Sequence, residues 1–162
     1  MSTIVYRPIG FARTPFTTTE DMPIQPAGAV GIHGSIEIAP EYAEGLTDLD
    51  GFSHIILLYH FHRSPGPRLR VTPFLDDRPR GVFATRAPTR PNPLGLSVVR
   101  LLAIEGNVLD VADIDLLDGT PILDIKPYVP VIDRVEATST GWFPSDRSEV
   151  ENQRSDARFN DP

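Results

Sequence analysis

Proline and glycine punctuate this sequence so densely that long helices are disfavoured from the start. The 162 residues include 17 prolines and 12 glycines. Proline lacks a backbone N–H and breaks the interior of a helix, and both residues mark turns. We therefore expect short strands joined by shaped loops.

The composition is that of one globular domain. Hydrophobic residues make up 40% of the chain and charged residues 23%, which excludes wholesale disorder. No apolar run approaches the roughly 18 residues of a membrane helix, and the N-terminus lacks a signal-peptide pattern. With no cysteine, disulfides and thiolate chemistry are excluded. We expect a cytoplasmic protein with no membrane partner.

Charge is distributed unevenly along the chain. Fourteen of the 15 basic residues are arginine, and Lys126 is the single lysine. Eight arginines and two acids lie between Arg63 and Arg100, a net charge of +6, whereas the remainder carries −13. An anionic partner would dock on the arginine-rich block, although solvated loop arginines would give the same pattern.

Short apolar segments between turn signals predict an all-β fold, a small antiparallel β-barrel or a sandwich. A short helix is predicted at 40–46, and the barrel domain at 1–143. Residues 144–162 are predicted to form a polar C-terminal tail with at most one loosely docked helix. The seven predicted strands are 4–13, 29–38, 54–63, one beginning at 82–85, 96–105, 108–115 and 122–126.

Familiar nucleotide and hydrolase motifs are absent. No GxGxxG, P-loop or nucleophile elbow occurs in the sequence. His54, His60 and His62 have the same parity on the predicted strand 54–63, so they would share one face. A further ligand at tetrahedral spacing cannot be assigned, so we expect no metal site.

The stretch from Gly81 to Ser97 is more specific. Its prolines at 88, 91 and 93 restrict the backbone, so the loop can present Arg86, Arg90 and Asn92 with little entropy loss on binding. A stiff barrel corner with surface arginines is the competing interpretation.

A second constellation follows, from Asp115 to Tyr128. On a strand, Asp124 and Lys126 would lie on one face, where they could form an ion pair or a polar cluster beside a ligand. Tyr128 adds a hydroxyl or a stacking ring.

These segments resemble the β-barrel S-adenosylmethionine-dependent methyltransferases of the TrmO (YaeB-like) family. Members methylate N6 of threonylcarbamoyladenosine at position 37 of tRNA. The resemblance covers about Ile9 to Pro130. It is carried by Ile9-Gly10 with Arg13-Thr14-Pro15, Gly51-Phe52-Ser53-His54, Phe61-His62, the Gly81–Ser97 stretch and Asp118–Tyr128.

The resemblance implies a homodimeric antiparallel barrel with S-adenosyl-L-methionine bound near the subunit interface and the tRNA anticodon loop as partner. Substrate-side positions would be Arg90, Asn92 and Lys126. The implied cofactor contacts are Gln25, Pro26, His62, Arg63, Arg86, Leu96, Asp118, Gly119, Thr120 and Pro121. Ile24 departs from the family, which usually has arginine at this point of the first loop.

The transfer needs in-line alignment and help in removing the N6 proton. His62, Asp124 and Tyr128 are candidates for that role, and the sequence does not choose among them. The alternative functions are a cofactor-binding barrel without catalysis, a methyltransferase acting on a small molecule, and a plain interaction barrel.

Overall fold

The computed structural model describes residues 2–144 and 146–160. Two short helices, Pro130–Asp133 (α1) and Arg147–Asn152 (α2), accompany several 3₁₀ turns. The eight strands are Gly10–Arg13 (β1), His33–Ile38 (β2), His54–His60 (β3), Arg70–Val71 (β4), Arg80–Gly81 (β5), Leu94–Glu105 (β6), Val108–Ala112 (β7) and Pro121–Pro127 (β8).

Six of these strands close into an antiparallel barrel in the order β1-β2-β7-β6-β3-β8, with β8 returning to β1. The remaining pair, β4 and β5, forms a small separate sheet. Closure removes exposed strand edges, which suits a chain of short strands. The predicted all-β barrel is confirmed, and the sandwich alternative is excluded.

The strand β3 is apolar on both faces. Ile55, Leu57 and Tyr59 point into the barrel and are buried, whereas Ile56 and Leu58 lie on its outer face and are only partly covered. The inward residues join a core with members from every barrel strand. An outer face this apolar is unusual for a strand that faces water.

The predicted hairpin and the short helical segment are confirmed. Gly106 adopts φ +63° in the two-residue loop between β6 and β7, a conformation that glycine adopts without strain. Residues 40–46 form a 3₁₀ helix, Pro40–Leu46. The last predicted strand is confirmed and extends by one residue at each end.

Four predicted strands are too long. The strand predicted at 108–115 ends at Ala112, the last residue that pairs with β2 and β6. β1 begins at Gly10, because its partner β2 pairs only with residues 10–13. Residues 29–32 form a turn instead, with Gly31 at φ +77°. β3 ends at His60. The next backbone N–H, that of Phe61, donates at 2.8 Å to the backbone oxygen of Pro93, a residue that precedes β6. His62 therefore lies beyond the strand, outside the face predicted for three histidines.

The strand predicted to begin at 82–85 is wrong. Val82–Ala84 is a 3₁₀ turn, in which the Thr85 N–H and hydroxyl both donate to Val82 O. This local bonding satisfies the groups that a ladder would otherwise need.

The C-terminal segment packs on the loop that precedes β2. The Ser155 N–H donates to Met22 O at 2.8 Å, and the Ser155 hydroxyl donates to Thr19 O at 2.6 Å. Val150 on α2 is buried, and Phe159 packs with Val71, Val82 and Ala87. The segment thus touches both the residue 19–28 loop and the arginine-rich block.

Candidate functional site

One end of the barrel gathers several of the predicted residues. His60 of β3 pairs with Leu94 at the start of β6, and Tyr59 pairs with Ile122 near the start of β8. The chain beyond β3, carrying His62 and Arg63, therefore lies close to Asp118–Pro121, which precedes β8. Leu96 faces outward two residues further along β6 than Leu94, opposite Leu58.

The Asp118–Pro121 turn is fastened to β1. Asp118 Oδ1 accepts from the Thr14 N–H at 3.0 Å, and the buried Thr120 hydroxyl donates to Leu117 O. Gly119 adopts φ +74°, and a Cβ placed there would meet no atom within 4 Å. The turn is thus rigid, with an open backbone that a ligand can approach closely.

Arg86 and Gln25 meet across the site. Arg86 Nη1 donates to Gln25 Oε1 at 2.7 Å, although 61 residues separate them. This contact joins the loop before β2 to the turn after β5. Both residues are cofactor positions implied by the resemblance, and the fold brings their side chains together.

A hydrogen-bonded chain of three side chains, which the sequence analysis did not assign, lies near Arg86. Ser97 Oγ donates to Asp115 Oδ1 at 2.7 Å, and the Tyr59 hydroxyl is 3.0 Å from Ser97 Oγ. Since Ser97 has one hydroxyl hydrogen and gives it to Asp115, Tyr59 is the donor to Ser97. The chain runs from inside the barrel towards the site.

Burial sets the protonation of this chain. It raises the pKa of Asp115 to about 6, against a smaller lowering by the Ser97 hydrogen bond and the charge of Arg86. Burial and then the Asp115 charge raise the pKa of Tyr59, so its phenol stays protonated. Arg86 thus lies within electrostatic reach of both groups.

Gly95 makes room for this chain. A Cβ at residue 95 would lie 2.1 Å from Tyr59 Cε2, so glycine alone permits the ring to cross β6 there. Ser97 and Gly95 stand on the inward face of β6 among apolar neighbours. The signal in the sequence that could have revealed these hydrogen bonds is Ser97, a single serine on the inward face of a mostly apolar strand.

Arg90 and Asn92 differ in their surroundings. Arg90 Nη1 reaches the carbonyls of Val82, Thr85 and Ala87 at 3.2, 2.7 and 3.4 Å, so it stabilises the turn. Asn92 is exposed, and its carbonyl accepts from the Leu94 N–H. Both interpretations of this loop therefore hold in part. Arg90 stiffens the corner, and Asn92 is presented to solvent.

The β8 residues lie further from the barrel end. Lys126 Nζ and Asp124 Oδ2 form an ion pair at 2.7 Å, with both side chains about half exposed. Tyr128 stacks edge-on against His54, with ring centroids 6.4 Å apart. The Tyr128 N–H donates to His54 O, six residues or about 20 Å along β3 from His60.

His62 has the environment of a neutral imidazole. Partial burial, followed by the charges of Arg63 and His60, lowers its pKa below the usual value. His62 and Tyr128 lie at opposite ends of β3. A single substrate proton therefore cannot be within reach of both side chains of the same subunit.

A groove of about 430 Å³ opens beside the Gln25 loop. Pro26, Val30, Val98 and His54 line it, together with residues around α2. It connects the cofactor positions in the first loop with the His54–Tyr128 pair.

Two kinds of feature are absent from residues 2–144 and 146–160. These residues contain no cluster of three or more His, Cys, Asp or Glu arranged to hold a metal ion. They also contain no helix with the length and hydropathy to cross a membrane.

Comparison with known proteins identifies the family. Residues 11–134 match the profile of the tRNA-methyltransferase O N-terminal domain. A probable S-adenosyl-L-methionine-binding protein from Pyrococcus abyssi is 52% identical over 96% of this chain and 85% of its own length. The Escherichia coli tRNA (adenine(37)-N6)-methyltransferase is 34% identical over 90% of this chain and 66% of its own length.

Solved structures agree. The crystal structure of TrmO from Pseudomonas aeruginosa matches with a TM-score of 0.74 and 42% identity, over 88% of this chain and 62% of that one. This chain thus spans less than two thirds of that solved protein. With the profile match covering most of the barrel, the chain belongs to the tRNA-methyltransferase O (TrmO) family.

Proposed function

We propose that this protein transfers a methyl group from S-adenosyl-L-methionine to N6 of threonylcarbamoyladenosine at position 37 of tRNA. The observation that carries the proposal is the family match over residues 11–134, and the Arg86–Gln25 contact and the Thr14-anchored Asp118–Pro121 turn support it. The name of the E. coli relative, tRNA (adenine(37)-N6)-methyltransferase, supports N6 methylation of the adenine at position 37.

The residues present fit the cofactor. Arg86 offers a guanidinium for a carboxylate, and the Asp118 turn offers backbone groups with open space at Gly119. The proposed cofactor set also includes Pro26, His62, Arg63 and Leu96. When bound, the cofactor supplies an electrophilic methyl group on its sulfonium.

We assign removal of the N6 proton to His62. N6 is a weak nucleophile, because its lone pair is delocalised into the carbamoyl group. As N6 forms its bond to the methyl carbon and the carbon–sulfur bond breaks, the N6 proton passes to the imidazole. His62 is neutral at pH 7, whereas Asp124 is neutralised by Lys126 and Tyr128 lies at the other end of β3.

The substrate-side positions are proposed for the same surface. Asn92 is exposed and could contact the RNA backbone or the threonyl carboxylate, whereas Lys126, although exposed, would have to leave its ion pair with Asp124 to do so. Arg90 contributes by holding the 82–87 turn in shape.

We also propose a cytoplasmic homodimer formed through the outer face of β6, β3 and β8. On this face Leu94 and Leu96 are 46% and 50% exposed, and they flank Leu58. A two-fold axis that pairs two β3 strands in opposite directions would bring His62 of one protomer towards Tyr128 of the other. Such an arrangement unites the two groups of predicted residues that one chain keeps apart.

The division into a barrel at 1–143 and a tail at 144–162 is likewise proposed. Because the tail contacts the Gln25 loop, we treat it as a support of the site.

The proposal is tested by methyl transfer from labelled S-adenosylmethionine. The substrates are tRNA that carries threonylcarbamoyladenosine and the same tRNA without it. Label in the modified tRNA alone is expected. Cofactor binding by calorimetry without any transfer would favour a binding barrel without catalysis, which Ile24 and the name of the P. abyssi relative favour.

A further inference from the structure

Phe83 is an aromatic ring on the surface beside the proposed site. It lies in the Val82–Ala84 turn, three residues before Arg86, and its side chain is 76% exposed. A ring so exposed buries little apolar surface, so folding gains little from it. Its position calls for a partner outside the chain.

An arginine stands over this ring. The Arg90 guanidinium carbon is 6.0 Å from the Phe83 centroid, and three backbone carbonyls fix that guanidinium. The ring is thus held by a rigid turn and backed by a cation. Such a ring is prepared to accept a flat partner at small entropic cost.

A second stack lies beside the same turn. Trp142 Nε1 donates to Ala84 O at 2.7 Å, and the Arg80 guanidinium carbon is 5.8 Å from the indole centroid. Two aromatic–arginine pairs therefore flank Val82–Ala84.

The surrounding charge selects the class of partner. From Arg78 to Ile104 the sequence contains five arginines and no acidic residue. Three of these arginines form ion pairs with Asp76, Asp77 and Asp113, whereas Arg86 and Arg90, which lie nearest to Phe83, contact uncharged oxygens. Exposed aromatic rings among arginines bind unpaired nucleic-acid bases by stacking, while the arginines meet the phosphates. A second copy of this acidic chain would bring less favourable charge.

We propose that Phe83 is a stacking platform for an unpaired anticodon-loop base next to the methylated adenosine, with Trp142 as a second ring. This inference rests on the proposed tRNA substrate and adds how the loop is held. Phe83 takes no part in cofactor binding or proton transfer. It positions the RNA by holding a neighbouring base out of the loop's own stack.

The test is binding of a fluorescent anticodon stem-loop carrying threonylcarbamoyladenosine, followed by anisotropy at fixed salt. Phe83→Ala is expected to weaken binding about fivefold to 100-fold, the range that loss of one base stack gives. Phe83→Trp keeps a ring and should stay within about twofold of the wild type. Leu69→Ala, which trims another exposed apolar side chain of the arginine-rich block, is the matched control and should bind normally.

Two readouts separate stacking from a structural role. Cofactor affinity by calorimetry and the mass in solution are expected to be unchanged in Phe83→Ala. Equal RNA binding by Phe83→Ala and wild type overturns the proposal, as does Phe83→Trp binding as weakly as Phe83→Ala. An altered mass would overturn it in favour of a protein contact.

The outcome also distinguishes this inference from the proposed function. A wild type that binds the stem-loop through Phe83 without methylating it would contradict the proposed activity and support the platform. A Phe83→Ala variant that methylates tRNA with full efficiency would contradict the platform alone. A wild type that does not bind the stem-loop overturns the platform.

Discussion

Arg86 Nη1 donates to Gln25 Oε1 at 2.7 Å, which links the two loops that frame the proposed cofactor site. β2 and β6 both pair antiparallel with β7, so the loops that precede these two strands lie at the same end of the barrel. Because this contact joins the two loops, a substitution that removes it tests whether cofactor binding depends on it.

Replacing Arg86 with Met should weaken cofactor binding roughly 10-fold to 100-fold, since a charge-assisted hydrogen bond contributes about 1.5–3 kcal/mol. Isothermal titration calorimetry measures the dissociation constant. Arg134→Met removes an exposed arginine from a position after α1 and serves as control. Equal affinity in wild type and Arg86→Met would remove Arg86 from the cofactor site.

Asp115 should make the protein less stable as the pH rises from about 4 to 6. The folded state holds its proton up to a pKa of about 6, whereas the unfolded carboxyl titrates near its usual value. Below both values the group does not affect stability, and its full penalty of about 3 kcal/mol is present above pH 6.

Asp115→Asn should therefore flatten the pH dependence of the free energy of unfolding between pH 4 and 6, as measured by urea titration. Asp110→Asn, on the exposed side of β7, is the control and should keep the wild-type slope. Parallel curves for wild type and Asp115→Asn would show that Asp115 titrates normally.

Gly95→Ala should destabilise the barrel by about 1–3 kcal/mol, because the added methyl collides with the Tyr59 ring. Thermal unfolding measures the loss, which should displace Tyr59 and break its bond to Ser97. Gly45→Ala meets no neighbouring atom within 4 Å and should leave the midpoint almost unchanged. Matching midpoints for the two variants would refute this account of Gly95.

Some elements could be predicted from the sequence, and others could not. The apolar run of β3 and the turn at Gly106 carry their own local signals, so both were predicted. Asp115 gave no such signal, since its role depends on Ser97 of a neighbouring strand. A loosely docked helix in the C-terminal segment was allowed for, but its docking contacts could not be predicted, because Val150 and Phe159 are isolated apolar residues in a polar stretch.

Ser155→Ala should lower both stability and cofactor affinity. The Ser155 hydroxyl donates to Thr19 O and accepts from the Met22 N–H at 3.0 Å, so its loss frees the loop that carries Gln25. We expect about 1–2 kcal/mol of destabilisation and a several-fold weaker cofactor complex. Thermal unfolding and calorimetry measure the two effects.

Thr138→Ala, which removes a hydroxyl at an exposed position after α1, is the control. Destabilisation by Ser155→Ala with cofactor affinity intact would mean that the C-terminal segment supports the fold without positioning Gln25.

Ile56→Glu should dissociate the proposed dimer. Ile56 lies at the centre of the outer face, between Val98 and Lys126, and a carboxylate there would lose its hydration in the interface, a cost that pairing with Lys126 would not fully offset. Light scattering after size exclusion gives the mass. Val131→Glu, at an exposed site in α1, should retain the wild-type mass. A dimeric Ile56→Glu variant would place the interface elsewhere.

The most direct test is nucleoside mass spectrometry of tRNA that carries threonylcarbamoyladenosine, after reaction with the protein and S-adenosylmethionine. The account predicts that the modified adenosine gains one methyl group on N6, and that Arg86→Met sharply reduces this product. Unchanged threonylcarbamoyladenosine after prolonged reaction with the wild type would contradict it.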